Sequence, residues 1–143
     1  MKIQIRKIES VDLKNGFLET LKSLSEVNLS YKKAKQIFSK IKKNDMYRIF
    51  VAVINNKIIG ATTLLIEQKF MHSGGKVAHV EDVVVHKAYQ GKGIGKMLIK
   101  TAIKEAKKEK CYKMLLDCCD KNIDFYKKFG FKVHEKCMRL DLI

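Results

Sequence analysis

The sequence predicts an α/β fold with a mixed central sheet, an antiparallel meander toward the N-terminus and flanking helices. Two observations indicate it. Three β-rich runs, 47–54, 58–66 and 77–85, follow one another through short loops, as in an antiparallel meander. A helical pattern and another apolar run come next, and this strand–helix–strand order favours a parallel crossover. The chain of 143 residues suits a single domain, 1–143.

The N-terminal segment predicts a strand and two helices before the meander. Ile3 and Ile5 alternate with polar residues, which is typical of a strand. Ser10 is a candidate N-cap, and apolar residues then recur at helical spacing up to Leu24. Ser30 is the candidate N-cap of a second helix. The apolar face of this helix contains Ala34, Ile37, Phe38 and Ile41.

The rest of the chain predicts a hairpin, the helix that follows the glycines, a strand, a short helix and a final strand. Asn55-Asn56 tolerates the positive φ angles of a tight hairpin turn. The apolar run 112–118 predicts a central strand. Residues 122–129 predict a short helix closed by Gly130, and residues 131–142 predict a final strand.

Composition limits the class of protein. No apolar run approaches the roughly 18 residues that span a bilayer, and no signal-peptide core opens the chain, so we expect a cytoplasmic location without a membrane partner. The net charge of +15 has three explanations: solvated helix faces, a site for an anionic metabolite, or a nucleic-acid surface. The lysines are scattered along the helices, and this distribution argues against a nucleic-acid surface. The four cysteines lack C-x-x-C spacing, and we expect them to be reduced and mostly buried.

The segment QGKGIGK places three glycines, Gly91, Gly93 and Gly95, between a strand and a helix. A glycine-rich turn before a helix N-terminus presents backbone N–H groups and a positive dipole, which suit a phosphate or pyrophosphate. A plain strand-to-helix turn is the alternative, and it needs only one glycine. The spacing matches neither the Rossmann fingerprint nor the P-loop.

This loop, Gln90-x-x-Gly93-x-Gly95, resembles the Q/R-x-x-G-x-G/A pyrophosphate loop of the GNAT superfamily of N-acetyltransferases, which bind acetyl-CoA. The predicted order of elements is also similar to that fold. The segments KFMH, VEDVVV, CYKMLLDC and KNIDFYKKFGF together resemble the glucosamine 6-phosphate N-acetyltransferases within that superfamily. The resemblance implies transfer of the acetyl group of acetyl-CoA to the 2-amino group of glucosamine 6-phosphate, a step toward UDP-N-acetylglucosamine.

The resemblance also implies a cofactor site. Family members hold the pantetheine arm like an added strand against the backbone of the strand before the glycine loop. The residues expected to bind acetyl-CoA are Val83, Val84, Val85, Gln90, Gly91, Lys92, Gly93, Ile94, Gly95, Asn122 and Tyr126. The three valine side chains are expected to lie in the core.

The two residues with implied catalytic roles are Asp117 and Tyr126. By resemblance, Asp117 accepts a hydrogen bond from the substrate amine at the end of the central strand, in an apolar setting. Tyr126 donates a proton to the departing CoA thiolate. An N-cap role for Asp117 and a core role for Tyr126 remain alternatives. A covalent route through Cys118 is disfavoured, because direct attack by the amine needs no enzyme nucleophile.

The resemblance assigns a larger set of residues to the sugar phosphate. These candidates are Ser25, Lys69, Phe70, Met71, His72, Glu81, Asp82, Val83, Tyr112, Lys113, Asp117 and Arg139. Glu81 and Asp82 are strand neighbours, so their side chains point to opposite faces unless the strand bulges. An ion pair with a lysine is their alternative role, and His72 is alternatively an ordinary loop residue.

The family enzyme is a dimer with shared sites, so the resemblance implies a homodimer in which Tyr112 and Lys113 reach the substrate of the neighbouring subunit. No metal is expected, because no group of His, Cys or carboxylates has ligand spacing. Two alternative functions remain: an N-acetyltransferase of the same fold acting on another amine, such as a protein lysine or another amino sugar, and a non-catalytic basic module that binds nucleic acid.

Overall fold

Five strands form one mixed sheet, in the order β1-β2-β3-β4-β5, within residues 2–143, which the computed structural model describes. The strands are β1 (Gln4–Lys7), β2 (Tyr47–Ile54), β3 (Lys57–Gln68), β4 (Lys76–Val85) and β5 (Cys111–Leu115). The first four strands pair antiparallel, and β5 pairs parallel with β4. The predicted α/β fold with an antiparallel meander and a parallel crossover is confirmed.

Helices cover both faces of this sheet. They are α1 (Phe17–Leu21), α2 (Tyr31–Lys42), α3 (Met71–Gly74), α4 (Ile94–Lys108) and α5 (Ile123–Lys127). The long helix α4 packs on one face, where Leu98, Ile99 and Ala102 are fully buried against β2, β3 and β4. Burial of a leucine or isoleucine side chain contributes about 1.5–3 kcal/mol. This helix therefore fixes the glycine loop that precedes it against the sheet.

The predicted hairpin turn is confirmed, because Asn55 and Asn56 have φ angles of 47° and 60°. The predicted first helix is interrupted. Residues 10–13 form a 3₁₀ turn, and α1 begins only at Phe17, after Gly16 with a φ of 101°. A Cβ at Gly16 would lie 2.9 Å from the Ile58 carbonyl oxygen, so the chain approaches β3 too closely for another residue.

Two predictions about the C-terminal third are wrong. Strand β5 is shorter than predicted and lies at the edge of the sheet rather than at its centre. Residues 131–142 form no strand, although Met138, Leu140 and Leu142 keep the alternating apolar pattern and are more than 80% exposed. A strand needs a hydrogen-bonding neighbour as well as a pattern, and in this single chain the segment has none.

The cysteines are free, as expected, but they are not mostly buried. Cys111 is partly buried, whereas Cys118, Cys119 and Cys137 are exposed. Across residues 2–143, helices that are long and apolar enough to cross a bilayer are absent.

Candidate functional site

A β-bulge in β4 brings Glu81 and Asp82 to one cavity. The pairing of β3 with β4 shifts register between Ala61 and Thr63, so that Thr62 faces two residues of β4. Asp82 lies in this bulge and has a left-handed φ of 50°. The Thr62 hydroxyl donates a hydrogen bond to the Glu81 carbonyl, with an Oγ1–O distance of 3.2 Å. The strict alternation expected of neighbouring strand residues is therefore broken here.

The cavity lies between α2 and the sheet and has a volume of about 450 Å³. Its wall is mostly apolar and includes Phe17, Ile37 and Phe38. Glu81 and Asp82 both line it, so two carboxylates meet an otherwise apolar space. A left-handed φ at a residue other than glycine costs about 1–2 kcal/mol. Strain of this kind is typical of functional sites.

Asp117 is the third carboxylate of this region. It follows β5 by two residues and is exposed, so the predicted apolar setting at the end of a central strand is wrong. Burial raises the pKa of Glu81, and the negative charges of Asp82 and Asp117 raise it further. Within residues 2–143, none of these three carboxylates forms an ion pair. The predicted alternative role in a lysine salt bridge is therefore wrong.

Cys137 from the C-terminal segment also reaches Asp117. Interaction with the Asp117 carboxylate raises the pKa of the Cys137 thiol, and the charge of Glu81 acts in the same direction. This proximity could not be predicted, because Cys137 is separated from Asp117 in the sequence by the whole of α5. Among the described residues no group of three His, Cys, Asp or Glu side chains is arranged to hold a metal ion.

Strands β4 and β5 separate beside the carboxylates. Their parallel pairing ends at His79 and Leu115, whereas β4 continues to Val85. The β5-facing edge of β4 from Glu81 to Val85 thus lacks a strand partner within the described chain. Its backbone groups are open to hydrogen bonds from a ligand, apart from the Val85 carbonyl, which accepts one from Gln90. Val84 is buried, and Val83 and Val85 are partly buried in the core, which confirms the expected role of the valine side chains.

The glycine loop lies at the end of this open edge. Gly91 and Gly93 have φ angles of 76° and 77°, and no atom lies within 4 Å of a Cβ placed at either position. A Cβ placed at Gly95 would instead lie 3.5 Å from Cζ of the Phe125 ring. The Gln90 amide donates a hydrogen bond of 3.1 Å to the Val85 carbonyl oxygen, which ties the loop to β4. The loop leaves free space above the N-terminus of α4, where anions are favoured.

Tyr126 has a buried ring and an accessible hydroxyl. Only 8% of the residue is exposed, and its ring makes edge contacts with Phe125 and Phe131. Its oxygen is not enclosed, and it forms no hydrogen bond within residues 2–143. Burial raises the pKa of the phenol, and the nearby thiols of Cys118 and Cys119 act in the same direction. The ring is thus part of the core, while the hydroxyl is free to contact a ligand.

A second group of candidates surrounds the opposite end of β4. The His72 ring stacks on Tyr112 with centroids 4.0 Å apart, and Lys113 lies 5.7 Å from the same tyrosine ring. Lys69 pairs with Glu67 at 2.9 Å. The positive φ angles of His72 and Ser73 turn this loop sharply. We call residues 69–72 with Tyr112 and Lys113 the loop cluster. Phe70 is fully exposed there, and Met71 is 61% exposed.

The structure does not bring the remaining candidates to the carboxylates. Ser25 is exposed between α1 and α2, and Asn122 is exposed in the turn before α5. Arg139 pairs with Asp141, with an Nη2–Oδ1 distance of 2.6 Å, in the exposed C-terminal segment. The side chains of Asp117 and Asp120 cap neither the 3₁₀ turn at 120–122 nor α5. The alternative N-cap role therefore suits neither of these two aspartates.

Comparison with known proteins places the chain in a family. The acetyltransferase (GNAT) family profile matches residues 14–131. The glucosamine 6-phosphate N-acetyltransferase of Trypanosoma brucei brucei is 37% identical over 98% of this chain and 96% of its own length. A probable glucosamine 6-phosphate N-acetyltransferase of Drosophila melanogaster is 40% identical over 90% of this chain, which spans 60% of that longer relative.

A solved structure agrees over the whole chain. The crystal structure of glucosamine-6-phosphate N-acetyltransferase from Arabidopsis thaliana has a TM-score of 0.95 and 31% identity, covering 100% of both chains. The chain therefore belongs to the GNAT acetyltransferase family and, within it, to the glucosamine 6-phosphate N-acetyltransferases.

Proposed function

We propose that this protein transfers the acetyl group of acetyl-CoA to the 2-amino group of glucosamine 6-phosphate, giving N-acetylglucosamine 6-phosphate and CoA. The observation that carries the proposal is the open edge of β4, which joins the glycine loop at one end to three carboxylates without cationic partners at the other. One end suits the anionic cofactor, and the other suits a polar, amine-bearing acceptor. Members of the GNAT family use acetyl-CoA.

The cofactor would lie along the open edge. The backbone of residues 83–85 can hydrogen-bond the pantetheine arm, and residues 90–95 can hold the diphosphate through N–H groups at the start of α4. Lys92 adds a positive charge close by, and Asn122 can contact the arm from the turn before α5. The free space above Gly91 and Gly93 supports this placement, because side chains there would fill it.

The acceptor would enter beside the carboxylates. Asp117 accepts a hydrogen bond from the amine and orients the nitrogen lone pair toward the thioester carbonyl. As the C–N bond forms, positive charge develops on nitrogen, and a nearby carboxylate stabilises it. Glu81 and Asp82, both lining the cavity, bind the sugar hydroxyls. Collapse of the tetrahedral intermediate breaks the C–S bond and releases the CoA thiolate.

Tyr126 would stabilise that thiolate mainly as a hydrogen-bond donor. A thiol has a reference pKa of about 8.5 and a phenol about 10. Burial raises the phenol pKa still further, so complete proton transfer from Tyr126 to the thiolate is unfavourable. A hydrogen bond from the phenol costs no ionisation and remains available at neutral and alkaline pH. The net proton balance is one proton lost from the amine and one gained by the thiolate.

A homodimer would complete the site. The sugar phosphate needs cations, but Lys69, His72 and Lys113 lie toward the end of β4 that is opposite the bulge. The unpaired outer edge of β5, the exposed Phe70 and the alternating apolar residues of the C-terminal segment are surfaces that a second copy can cover. In that dimer the loop cluster and Arg139 would bind the sugar phosphate held by the partner. Ser25 would contact the phosphate group of the sugar.

The remaining features of the proposal follow from its chemistry. The reaction needs no metal, because acyl transfer from a thioester to an amine requires no Lewis acid. We propose a cytoplasmic reaction in a single acetyltransferase domain that supplies N-acetylated sugar phosphate for UDP-N-acetylglucosamine synthesis. The anionic cofactor and acceptor also suit a chain with a net charge of +15.

The test is free-thiol release from acetyl-CoA with a panel of amines, namely glucosamine 6-phosphate, glucosamine and a lysine peptide. We expect a far higher kcat/KM for glucosamine 6-phosphate, because its phosphate supplies binding energy remote from the reacting amine. Equal kcat/KM values for the two sugars would contradict the assigned phosphate site. A preference for the peptide would indicate a different acceptor.

A further inference from the structure

His79 joins the two ends of β4 through a chain of polar contacts. Its Nε2 lies 3.0 Å from Glu67 Oε1, and the same Glu67 oxygen lies 2.9 Å from the Lys69 ammonium. An ionised carboxylate only accepts hydrogen bonds, so Nε2 carries the hydrogen and donates it to Glu67. Two strands therefore hold the imidazole ring, β4 through its backbone and β3 through Glu67.

The register places His79 beside Glu81. His79 pairs with Leu65 and Glu81 with Thr63, so both lie before the bulge and point to the same face of the sheet. Residues two apart on a strand face lie about 7 Å from each other. Leu115, opposite His79 on β5, is uncharged.

We propose that His79 is a positioning residue for Glu81: the ring, fixed by Glu67, places a positive charge beside a carboxylate whose other charged neighbours, Asp82 and Asp117, are negative. The groups that face Glu81 are Asp82 on β4, Asp117 after β5, the thiol of Cys137, and His79. A histidine ring that is protonated on both nitrogens carries a positive charge. His79 thus favours the ionised form of Glu81, in which the carboxylate can accept hydrogen bonds from two sugar hydroxyls.

The charge balance supports this assignment. Burial, Asp82 and Asp117 each raise the pKa of Glu81, and His79 is the group that lowers it. Without a cation nearby, a carboxylate next to two others takes up a proton more readily. The contribution of Glu81 to substrate binding rests on the function proposed above, whereas its electrostatic coupling to His79 does not.

The decisive experiment follows the Glu81 carboxyl carbon by NMR during a pH titration of the ligand-free protein. In His79→Gln, which keeps a side-chain donor for Glu67 but removes the positive charge, we expect the Glu81 midpoint to rise by about half a pH unit. In His79→Lys, which restores a positive charge, the midpoint should stay near the wild-type value. His86→Gln, which changes a histidine beyond the far end of β4, is the matched control and should leave the midpoint unchanged.

Kinetics then separate this inference from the proposed function. In His79→Gln the KM for glucosamine 6-phosphate should rise below about pH 6, with the KM for acetyl-CoA unchanged. An unchanged Glu81 midpoint in His79→Gln would overturn the inference, even if the variant lost thermal stability. A shifted midpoint in a protein that fails to acetylate glucosamine 6-phosphate would instead uphold the coupling and refute the proposed function.

Discussion

The two ends of strand β4 carry different chemistry. At the bulge, Glu81, Asp82 and the nearby Asp117 form no ion pair within the described chain. At the loop cluster, the His72 ring stacks on Tyr112 and Lys69 pairs with Glu67. Unpaired polar groups around a cavity are ready for a small ligand.

The surface around the loop cluster indicates a different kind of partner. Phe70 is fully exposed, and Met71 is more than half exposed. Aromatic residues and methionine are enriched in protein–protein interfaces. The bulge end thus has the features of a chemical site, whereas the loop end has those of a subunit contact that can deliver cations to another chain. Four experiments test this distinction.

Removal of the Asp117 charge should have the largest effect. In Asp117→Asn, kcat should fall by about 10²- to 10³-fold, because the carboxylate stabilises charge that appears only as the amine attacks. The melting temperature should hardly change, since Asp117 is exposed and forms no ion pair. Asp120→Asn, three residues later and also exposed, is the matched control. Comparable losses in both variants would remove Asp117 from the chemistry.

The next effect concerns the leaving group. Tyr126→Phe keeps the buried ring and removes the hydroxyl, which has no hydrogen bond within residues 2–143, so the fold should be unaffected. We expect kcat and kcat/KM to fall together by about 10²-fold, the low end for proton-donor groups, because the CoA thiolate is a fairly good leaving group. The measurement needs both substrates varied and chemistry as the slow step. A kcat within about twofold of wild type would make Tyr126 a core residue only.

A mixing experiment tests whether the two ends belong to one site in different chains. Asp117→Asn disables the bulge end, and Lys69→Ala/His72→Ala disables the loop end. If sites are shared, half of the dimers in an equal mixture are mixed and half of their sites are intact, so about a quarter of the activity should return. The measurement is activity before and after subunit exchange, together with the mass in solution. Full activity of a monomer, or no recovery in mixed dimers, would contradict shared sites.

Some of this architecture could be predicted because it depends on local patterns. The helix α4 and the hairpin at Asn55-Asn56 follow from residue spacing and turn chemistry. The bulge at Asp82 could not be predicted, because it is a property of the register between two strands. A short apolar run does not reveal whether a strand is central or at an edge, so β5 was misplaced.

The contacts of His79 were missed for a similar reason. Its period-two relation to Glu81 is visible in the sequence, but its link to Glu67 depends on how β3 and β4 pair. The C-terminal segment shows the converse, since its alternating pattern predicts a strand that one chain alone does not form.

The smallest expected effect is on stability, and it has opposite signs at the two ends. Burial and neighbouring carboxylates raise the pKa of Glu81, whereas hydrogen bonds from His79 and Lys69 lower the pKa of Glu67. In the unfolded chain a glutamate titrates near pH 4.3. Ionised Glu81 therefore destabilises the fold above its raised pKa, and this contribution disappears as the pH falls below about 4. Ionised Glu67 stabilises the fold above pH 4.3 and loses that effect as the pH falls through its lowered pKa.

At pH 7, Glu81→Gln should raise the melting temperature and Glu67→Gln should lower it, each by about 1–3 °C because both residues are partly exposed. Thermal melts at pH 7 and pH 3.5 measure the difference, which should shrink at the lower pH. Equal signs for the two variants at pH 7 would show that the two ends of β4 do not differ electrostatically.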